Sequence, residues 1–125
     1  MTWVVVGAFG ALGAVTRYGV SGVVQRLRKA PFPIGTLVVN LTGAFGAGLL
    51  LGIATGRDVP DSVLLAAGVG FLGGYSTFST WMVETVLAAE SGGPIGLRRA
   101  AENLAVPLIA GVALAGIGFA IGQWF

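Results

Sequence analysis

The sequence predicts an all-α membrane protein with four transmembrane helices. Of its 125 residues, 55% are hydrophobic and only 10% are charged, whereas a soluble domain carries about 25% charged residues. The few charges divide the chain into uncharged stretches, each near the roughly 20 apolar residues that cross a bilayer. Helices are expected rather than barrel strands, because barrel strands alternate apolar and polar residues.

The predicted helices belong to a single domain over residues 1–125 and lie near 2–25, 33–55, 62–88 and 99–123. The first is interrupted by one charge, Arg17. The second carries no charge and starts at Pro33, a residue suited to the first turn of a helix. The third and fourth contain the uncharged runs 62–83 and 103–125. Little chain remains outside the membrane to form a soluble domain.

The composition also excludes several classes of function. The chain has no cysteine and no histidine, which excludes disulfides, thiolate metal sites and a Ser-His-Asp triad. Seven basic and five acidic residues give a net charge of +2, too little for a nucleic-acid-binding patch. We therefore expect neither an enzyme nor a nucleic-acid partner.

The charges in the loops predict an orientation. With four spans, the first and third loops share one side of the membrane. That side holds five basic residues, Arg26, Arg28, Lys29, Arg98 and Arg99, and the other side holds only Arg57. Because Lys and Arg favour the cytoplasmic side, we expect both termini outside the cytoplasm.

Many of the 22 glycines are spaced for close helix packing. Gly48, Gly52 and Gly56 are four residues apart, as are Gly70 and Gly74, and Gly118 and Gly122; Gly7, Gly10 and Gly13 form a stripe at three-residue spacing. Small residues bring helix backbones together in lipid. Four helices form a thin bundle with little interior of its own, so we expect further packing against a second subunit.

Two polar residues in the first two spans are candidates for function. Arg17 is eight residues, or roughly 12 Å of helix, from Gln25, which is far for a side chain that only reaches towards the membrane surface, so we expect it in the interior or in a vestibule. Asn40 shares a helix face with Thr36. It either forms an interhelical hydrogen bond or lines a polar surface.

The most informative stretch is 73–81, where two glycines precede four hydroxyl residues. Hydroxyl side chains compete for backbone groups, which predicts a break near the middle of the third helix. The freed carbonyls can coordinate a cation. Phe78 and Trp81 either pack together or turn their positive ring edges towards an anion. Glu84 is the only acid deep in the third span and the first two spans have none, a set of groups that suits a small anion better than a cation.

Three segments resemble the Fluc (CrcB) fluoride-channel family. Residues 10–18, GALGAVTRY, resemble the family's GALGAxxRY. Residues 35–45, GTLVVNLTGAF, resemble GTLxVNxxGxF, and residues 70–84, GFLGGYSTFSTWMVE, resemble GFxGGxTTFSTFSxE. The segments fall in three of the four predicted helices, in the family's order.

The resemblance implies an antiparallel, dual-topology dimer with two fluoride pores at its interface. It implies that the pore is lined by Asn40 and Phe78, with Trp81 as the second aromatic and hydroxyls from Ser79 and Thr80. The implied activity is passive export of fluoride through the bacterial plasma membrane, which protects the cell against fluoride toxicity. No catalysis is involved.

The resemblance also implies roles outside the pore itself. Arg17 and Glu84 would lie towards the vestibules. A sodium ion would sit at the dimer centre, held by the backbone carbonyls of Gly73 and Ser76.

The chain departs from the family pattern at several positions. Trp81 replaces a phenylalanine, Met82 replaces a serine, and the fourth helix offers Asn103 and Pro107 where the family often has tyrosine and serine. The uneven loop charge is a further departure, because a homodimer that inserts both ways should have balanced loops. The second subunit is therefore either a second copy of this chain or a paralogous one.

Two other functions compete with the channel. A small proton-coupled multidrug exporter predicts an essential carboxylate in the first span, and this chain has none there. A scaffold subunit that transports nothing predicts that Asn40, Phe78 and Ser79 tolerate substitution.

Overall fold

The computed structural model describes residues 2–29 and 32–125, so Met1, Ala30 and Pro31 of the predicted domain lie outside the described residues. Within those ranges, four helices are long and apolar enough to cross a membrane: α1 (Thr2–Arg28), α2 (Ile34–Gly56), α3 (Asp61–Glu90) and α4 (Gly93–Gly122). The same ranges contain helices and connecting turns and no strand. The prediction of an all-helical chain with four candidate spans is therefore confirmed.

The fourth helix starts earlier than predicted, at Gly93 rather than at residue 99. Gly92 and Gly93 have φ angles of 85° and 67°, which allow a tight turn directly after α3. Pro94 follows in the first turn of α4, where its missing N–H costs nothing. Arg98 and Arg99 consequently lie on α4 rather than in the loop, and Arg98 forms an exposed ion pair with Glu102 at 2.7 Å.

The two halves of α3 pack against different neighbours. Residues 64–75 lie along α1, whereas Phe78–Glu90 lies along α4. The other large contact joins α2 to α4 along much of their length. The bundle therefore consists of two close helix pairs, α1 with the first half of α3 and α2 with α4. A direct contact between α1 and α2 joins the pairs, and so does the second half of α3.

Glycines allow the backbones to come into contact in both helix pairs. A Cβ atom added to Gly48 would collide with the Ala115 carbonyl oxygen, and one added to Gly122 would collide with the Leu49 carbonyl oxygen. Between α1 and α3, the same holds for Gly13 against Phe71 and for Gly74 against the backbone of Gly10. Close packing is thus confirmed for most of the predicted glycines.

The glycine prediction is wrong at two positions. A Cβ atom on Gly7 or Gly56 would meet nothing within 4 Å. Both residues lie near a helix end, where no other helix is close. The spacing of glycines in the sequence therefore does not by itself identify a contact between helices.

We expect Gly48→Ala to lower the free energy of unfolding by roughly 1–3 kcal/mol, the usual cost of overpacking a rigid contact. The added methyl meets backbone, which cannot rotate away. Thermal unfolding in detergent, followed by tryptophan fluorescence, measures the change. The control is Gly116→Ala on α4, where nothing lies within 4 Å of the new atom and helix propensity favours alanine by up to about 1 kcal/mol. Equal stability of the two variants would contradict the assignment of Gly48 to a tight contact.

Candidate functional site

The backbone of α3 becomes extended near the middle of the span. Residues Leu64–Leu72 form π-helical turns, Gly73–Tyr75 returns to α-helix, and a second α-helical segment starts at Phe78. Between them, Ser76 has φ −78° and ψ 158°, and Thr77 has φ −144° and ψ 114°. The Ser76 N–H still donates to the Leu72 carbonyl at 3.0 Å, so the groups that need partners from outside the helix are the Ser76 carbonyl and both backbone groups of Thr77.

Local hydroxyl groups bind the ends of the two helical segments on either side of this point. The Ser76 Oγ donates to the Leu72 carbonyl at 3.0 Å, which ties it to the end of the first half of α3. Thr77 is the N-cap of the second half, since its Oγ1 accepts from the Thr80 backbone N–H at 3.2 Å. Threonine is a favoured N-cap residue, so the helix restarts where the sequence supplies a cap.

Asn40 on α2 pairs with the extended backbone. Its Nδ2 donates to the Thr77 carbonyl at 3.0 Å, and its Oδ1 accepts from the Thr77 N–H at 2.8 Å. One amide side chain thereby satisfies both backbone groups of Thr77, which is only 6% exposed. Of the two uses expected for Asn40, the interhelical hydrogen bond is present, and Asn40 also lines an open cavity.

The hydroxyl groups predicted to line a pore lie just beyond Thr77. The Thr77 Oγ1 donates to the Thr80 Oγ1 at 2.9 Å and lies 3.5 Å from the Ser79 Oγ. Ser79 and Thr80 are exposed in the single chain. The structure thus brings the three hydroxyls together at the start of the second half of α3.

The two predicted aromatic residues form an edge-to-face pair. The ring centroids of Phe78 and Trp81 are 5.8 Å apart and their planes meet at 89°. Phe78 is 69% exposed in the single chain. The Trp81 indole N–H donates to the backbone carbonyl of Asn103 on α4, so its donor is used within the chain.

An open cavity of about 540 Å³ is lined by Asn40, Phe78 and Trp81 among the predicted pore residues, whereas Ser79 and Thr80 lie outside its lining. Its polar side is formed by Asn40, Ser76 and Thr77, with both aromatic rings nearby, and its apolar side includes Pro107 and small residues of α2 and α4. None of the lining residues in the described part of the chain is charged. We call this cavity the aromatic groove.

Arg17 and Glu84 occupy two other cavities that share lining residues. Arg17 lines a cavity of about 230 Å³, and Glu84 lines one of about 590 Å³ that also includes Arg99. Both cavities are lined by Ser21, Thr36 and Thr80. The predicted vestibule residues therefore lie near each other, beside the second half of α3.

Neither charge is neutralised by the other. The Thr36 hydroxyl donates to Glu84 Oε1 at 2.6 Å, while Glu84 Oε2 is buried and has no partner among residues 2–29 and 32–125. Over the same ranges, the Arg17 side chain makes no hydrogen bond or ion pair. A guanidinium group and a carboxylate oxygen are thus both available within this pair of cavities.

The carbonyls of Gly73 and Ser76 lie where the helix is interrupted. The Thr77 N–H, which would reach the Gly73 carbonyl in a continuous helix, donates to Asn40 instead. The Ser76 carbonyl accepts no hydrogen bond from the described residues. Both residues line the aromatic groove, so oxygen ligands of the kind that hard cations prefer are present at its edge.

Sequence reasoning missed Thr85. Its Oγ1 accepts from Asn103 Nδ2 at 2.8 Å and donates to the Trp81 carbonyl at 2.8 Å. No motif marks this residue. The one signal was its position four residues after Trp81, which places both on the same face of a helix.

Comparison with known proteins identifies the family. The model of the family described as CrcB-like protein, Camphor Resistance (CrcB), matches residues 4–119. A protein of Mycolicibacterium paratuberculosis named Fluoride-specific ion channel FluC 2 is 45% identical over 121 residues, which cover 97% of this chain and 93% of that protein. A Moorella thermoacetica protein of the same name is 41% identical over the full length of both chains.

A relative with lower sequence identity has a similar name. The Fluoride-specific ion channel FluC of Citrifermentans bemidjiense is 37% identical over 96% of this chain and 95% of its own. These matches and the four apolar spans indicate a multi-pass bacterial membrane protein. The chain belongs to the CrcB family.

Proposed function

We propose that this chain forms a fluoride-selective channel that lets fluoride leave the cytoplasm passively and so protects the cell against fluoride toxicity. The observation that carries the proposal is the aromatic groove, where Phe78 and Trp81 meet the hydroxyl segment that Asn40 holds in place. The names of the relatives, fluoride-specific ion channels, support the same assignment.

The chemistry of the groove suits a small anion. Aromatic rings are positive at their edges, and the exposed hydroxyls of Ser79 and Thr80, which lie beside the groove rather than in its lining, can donate to an anion as it sheds water. The proposed pore is lined by Asn40, Phe78, Ser79, Thr80 and Trp81. Arg17 and Glu84 lie in the neighbouring cavities and are proposed as vestibule residues, with the guanidinium of Arg17 attracting anions.

The pore is proposed to form between two antiparallel subunits. The groove is open along the surface of the single chain and exposes Phe78, so a second subunit is needed to enclose an ion. The partner is either a second copy or a paralogous chain in the opposite orientation. The five basic residues on one side against one on the other favour a fixed orientation for this chain.

A sodium ion is proposed at the centre of the dimer. The carbonyls of Gly73 and Ser76 accept no hydrogen bond across the interruption of α3, which fits a hard cation bound by backbone oxygens. Bound there, the ion would interact with the negative ends of carbonyl dipoles that have no hydrogen-bond donor in the described chain.

The first experiment reconstitutes the purified chain alone into liposomes loaded with potassium fluoride. Fluoride release after addition of a potassium ionophore, followed with a fluoride electrode, is expected to be rapid, to need no proton gradient, and to exceed chloride release. Flux from this chain alone makes the partner a second copy, and flux only with a paralogous chain makes it a heterodimer. Equal release of chloride would refute fluoride selectivity, and dependence on a proton gradient would favour the exporter.

The exposed ring of Phe78 allows a test that does not disturb folding. We expect Phe78→Ile to slow fluoride release roughly two- to tenfold, the loss of about one aromatic contact. The thermal midpoint should change little, because Phe78 is mostly exposed. Trp3→Ile is the matched control. Trp3 is also an exposed aromatic residue, but it lies at the start of α1 and does not line the aromatic groove. A scaffold subunit predicts no fluoride flux in the parent chain and no difference between the variants.

The sodium proposal predicts a specific ion dependence. The thermal midpoint of the dimer should rise with sodium chloride and not with N-methylglucamine chloride of the same ionic strength, because only a bound ligand stabilises the folded state in this way. Ser76→Ala should keep the dependence, since it retains the backbone carbonyl. Identical midpoints in the two salts would contradict a bound sodium ion.

A further inference from the structure

Helix α4 has a backbone carbonyl that its own helix cannot satisfy. Pro107 lies inside α4 and has no N–H. In an α-helix the N–H of residue 107 would donate to the carbonyl four residues earlier, which is that of Asn103. The carbonyl of Asn103 is therefore free to accept a hydrogen bond from another helix.

Trp81 supplies that hydrogen bond. Its indole Nε1, a donor that can never accept, donates to the Asn103 carbonyl across the α3–α4 contact. Asn103 is 3% exposed and Pro107 is buried. Without this contact, the indole N–H and the buried carbonyl would each lose this hydrogen bond, and an unpaired buried polar group is costly.

A second set of hydrogen bonds fixes the same turn. Asn103 Nδ2 donates to the Thr85 Oγ1 at 2.8 Å, and the Thr85 Oγ1 donates to the Trp81 carbonyl at 2.8 Å. The backbone and the ring of Trp81 are thus both held to the turn of α4 that precedes Pro107. The held ring meets Phe78 at 89°, and both rings and Pro107 line the aromatic groove.

We infer that Pro107 is a positioning residue for Trp81. By removing one N–H from α4, it frees the Asn103 carbonyl to hold the indole, which sets the angle of the ring against Phe78. The indole N–H is then occupied, so an anion in the groove meets the ring rather than a strong donor. The role of the ring towards an anion rests on the proposed function, whereas the role of Pro107 in positioning Trp81 does not.

The hydrogen bond is tested by NMR on the reconstituted protein labelled with ¹⁵N at the indole nitrogens. The chain has three tryptophans, and the signal lost in W81F identifies Trp81. In P107A the new N–H competes for the Asn103 carbonyl, so the Trp81 signal should move upfield and exchange faster with deuterium. The signals of Trp3 and Trp124 should not move and serve as internal controls. An unchanged Trp81 signal overturns the inference.

A second measurement covers the case in which P107A does not fold. In W81F the Asn103 carbonyl loses its donor while Pro107 is retained, so the ¹³C signal of that carbonyl should move upfield. The double variant W81F/P107A, in which a backbone N–H is available again, should restore it. A carbonyl signal that is the same in the parent chain and in W81F also overturns the inference.

The consequence for flux is tested by a double-mutant cycle on fluoride release. P107A frees the indole N–H to bind the anion, and W81F leaves a bare carbonyl oxygen that repels it, so each single variant should slow release about three- to tenfold, as expected for one hydrogen bond within a membrane. The double variant should be faster than either, because neither group remains unpaired. Effects that simply multiply refute the coupling. Absence of fluoride release from the parent chain refutes the proposed function instead, and the NMR result still decides the role of Pro107.

Discussion

The pairing between the Asn40 amide and the backbone of Thr77 is the constraint on which the site depends. A helix interrupted inside a membrane leaves N–H and carbonyl groups that water cannot reach. Asn40 offers a donor and an acceptor at the right separation, and it bonds to both groups of Thr77. The interruption can therefore exist at this depth only while α2 presents Asn40 to it. The start of the second half of α3, with Phe78 and the hydroxyls after it, follows from that arrangement.

The interruption also explains the shape of the bundle. A continuous α3 would pack along one neighbour, whereas here the first half lies on α1 and the second on α4. Glycines hold α1 against the first half and α2 against α4 at backbone contact. Because the two halves of α3 lie on different helices, the aromatic groove stays open at the surface. Close packing within the two helix pairs thus contrasts with the open surface of the groove in the described part of the chain.

The sequence predicted the helices well because the positions of charges determine which segments can lie in lipid. It failed at the start of α4, because the glycines and the proline of residues 92–96 were interpreted as part of a turn, although Pro94 and the turn at Gly92 begin a helix. The residues of the site were identified through resemblance, but their partners were not. The bonds from Asn40 to Thr77 and from Trp81 to Asn103 join residues 37 and 22 positions apart. Such pairs depend on how helices cross, and periodicity within one helix carries no information about that.

The separation of charge from the groove bears on how fast a small anion can pass. A fixed cation 4 Å from an anion, at an effective dielectric constant near 20, attracts it by about 4 kcal/mol, which corresponds to roughly a thousandfold longer stay. Conduction requires sites favourable enough to enter and weak enough to leave. In this chain Arg17 and Arg99 line cavities beside the groove, and the groove itself is lined by an amide, hydroxyls and two rings. The Trp81 N–H is bound to Asn103, so the indole donor is occupied as well, which fits the weak anion binding that the proposed conduction requires.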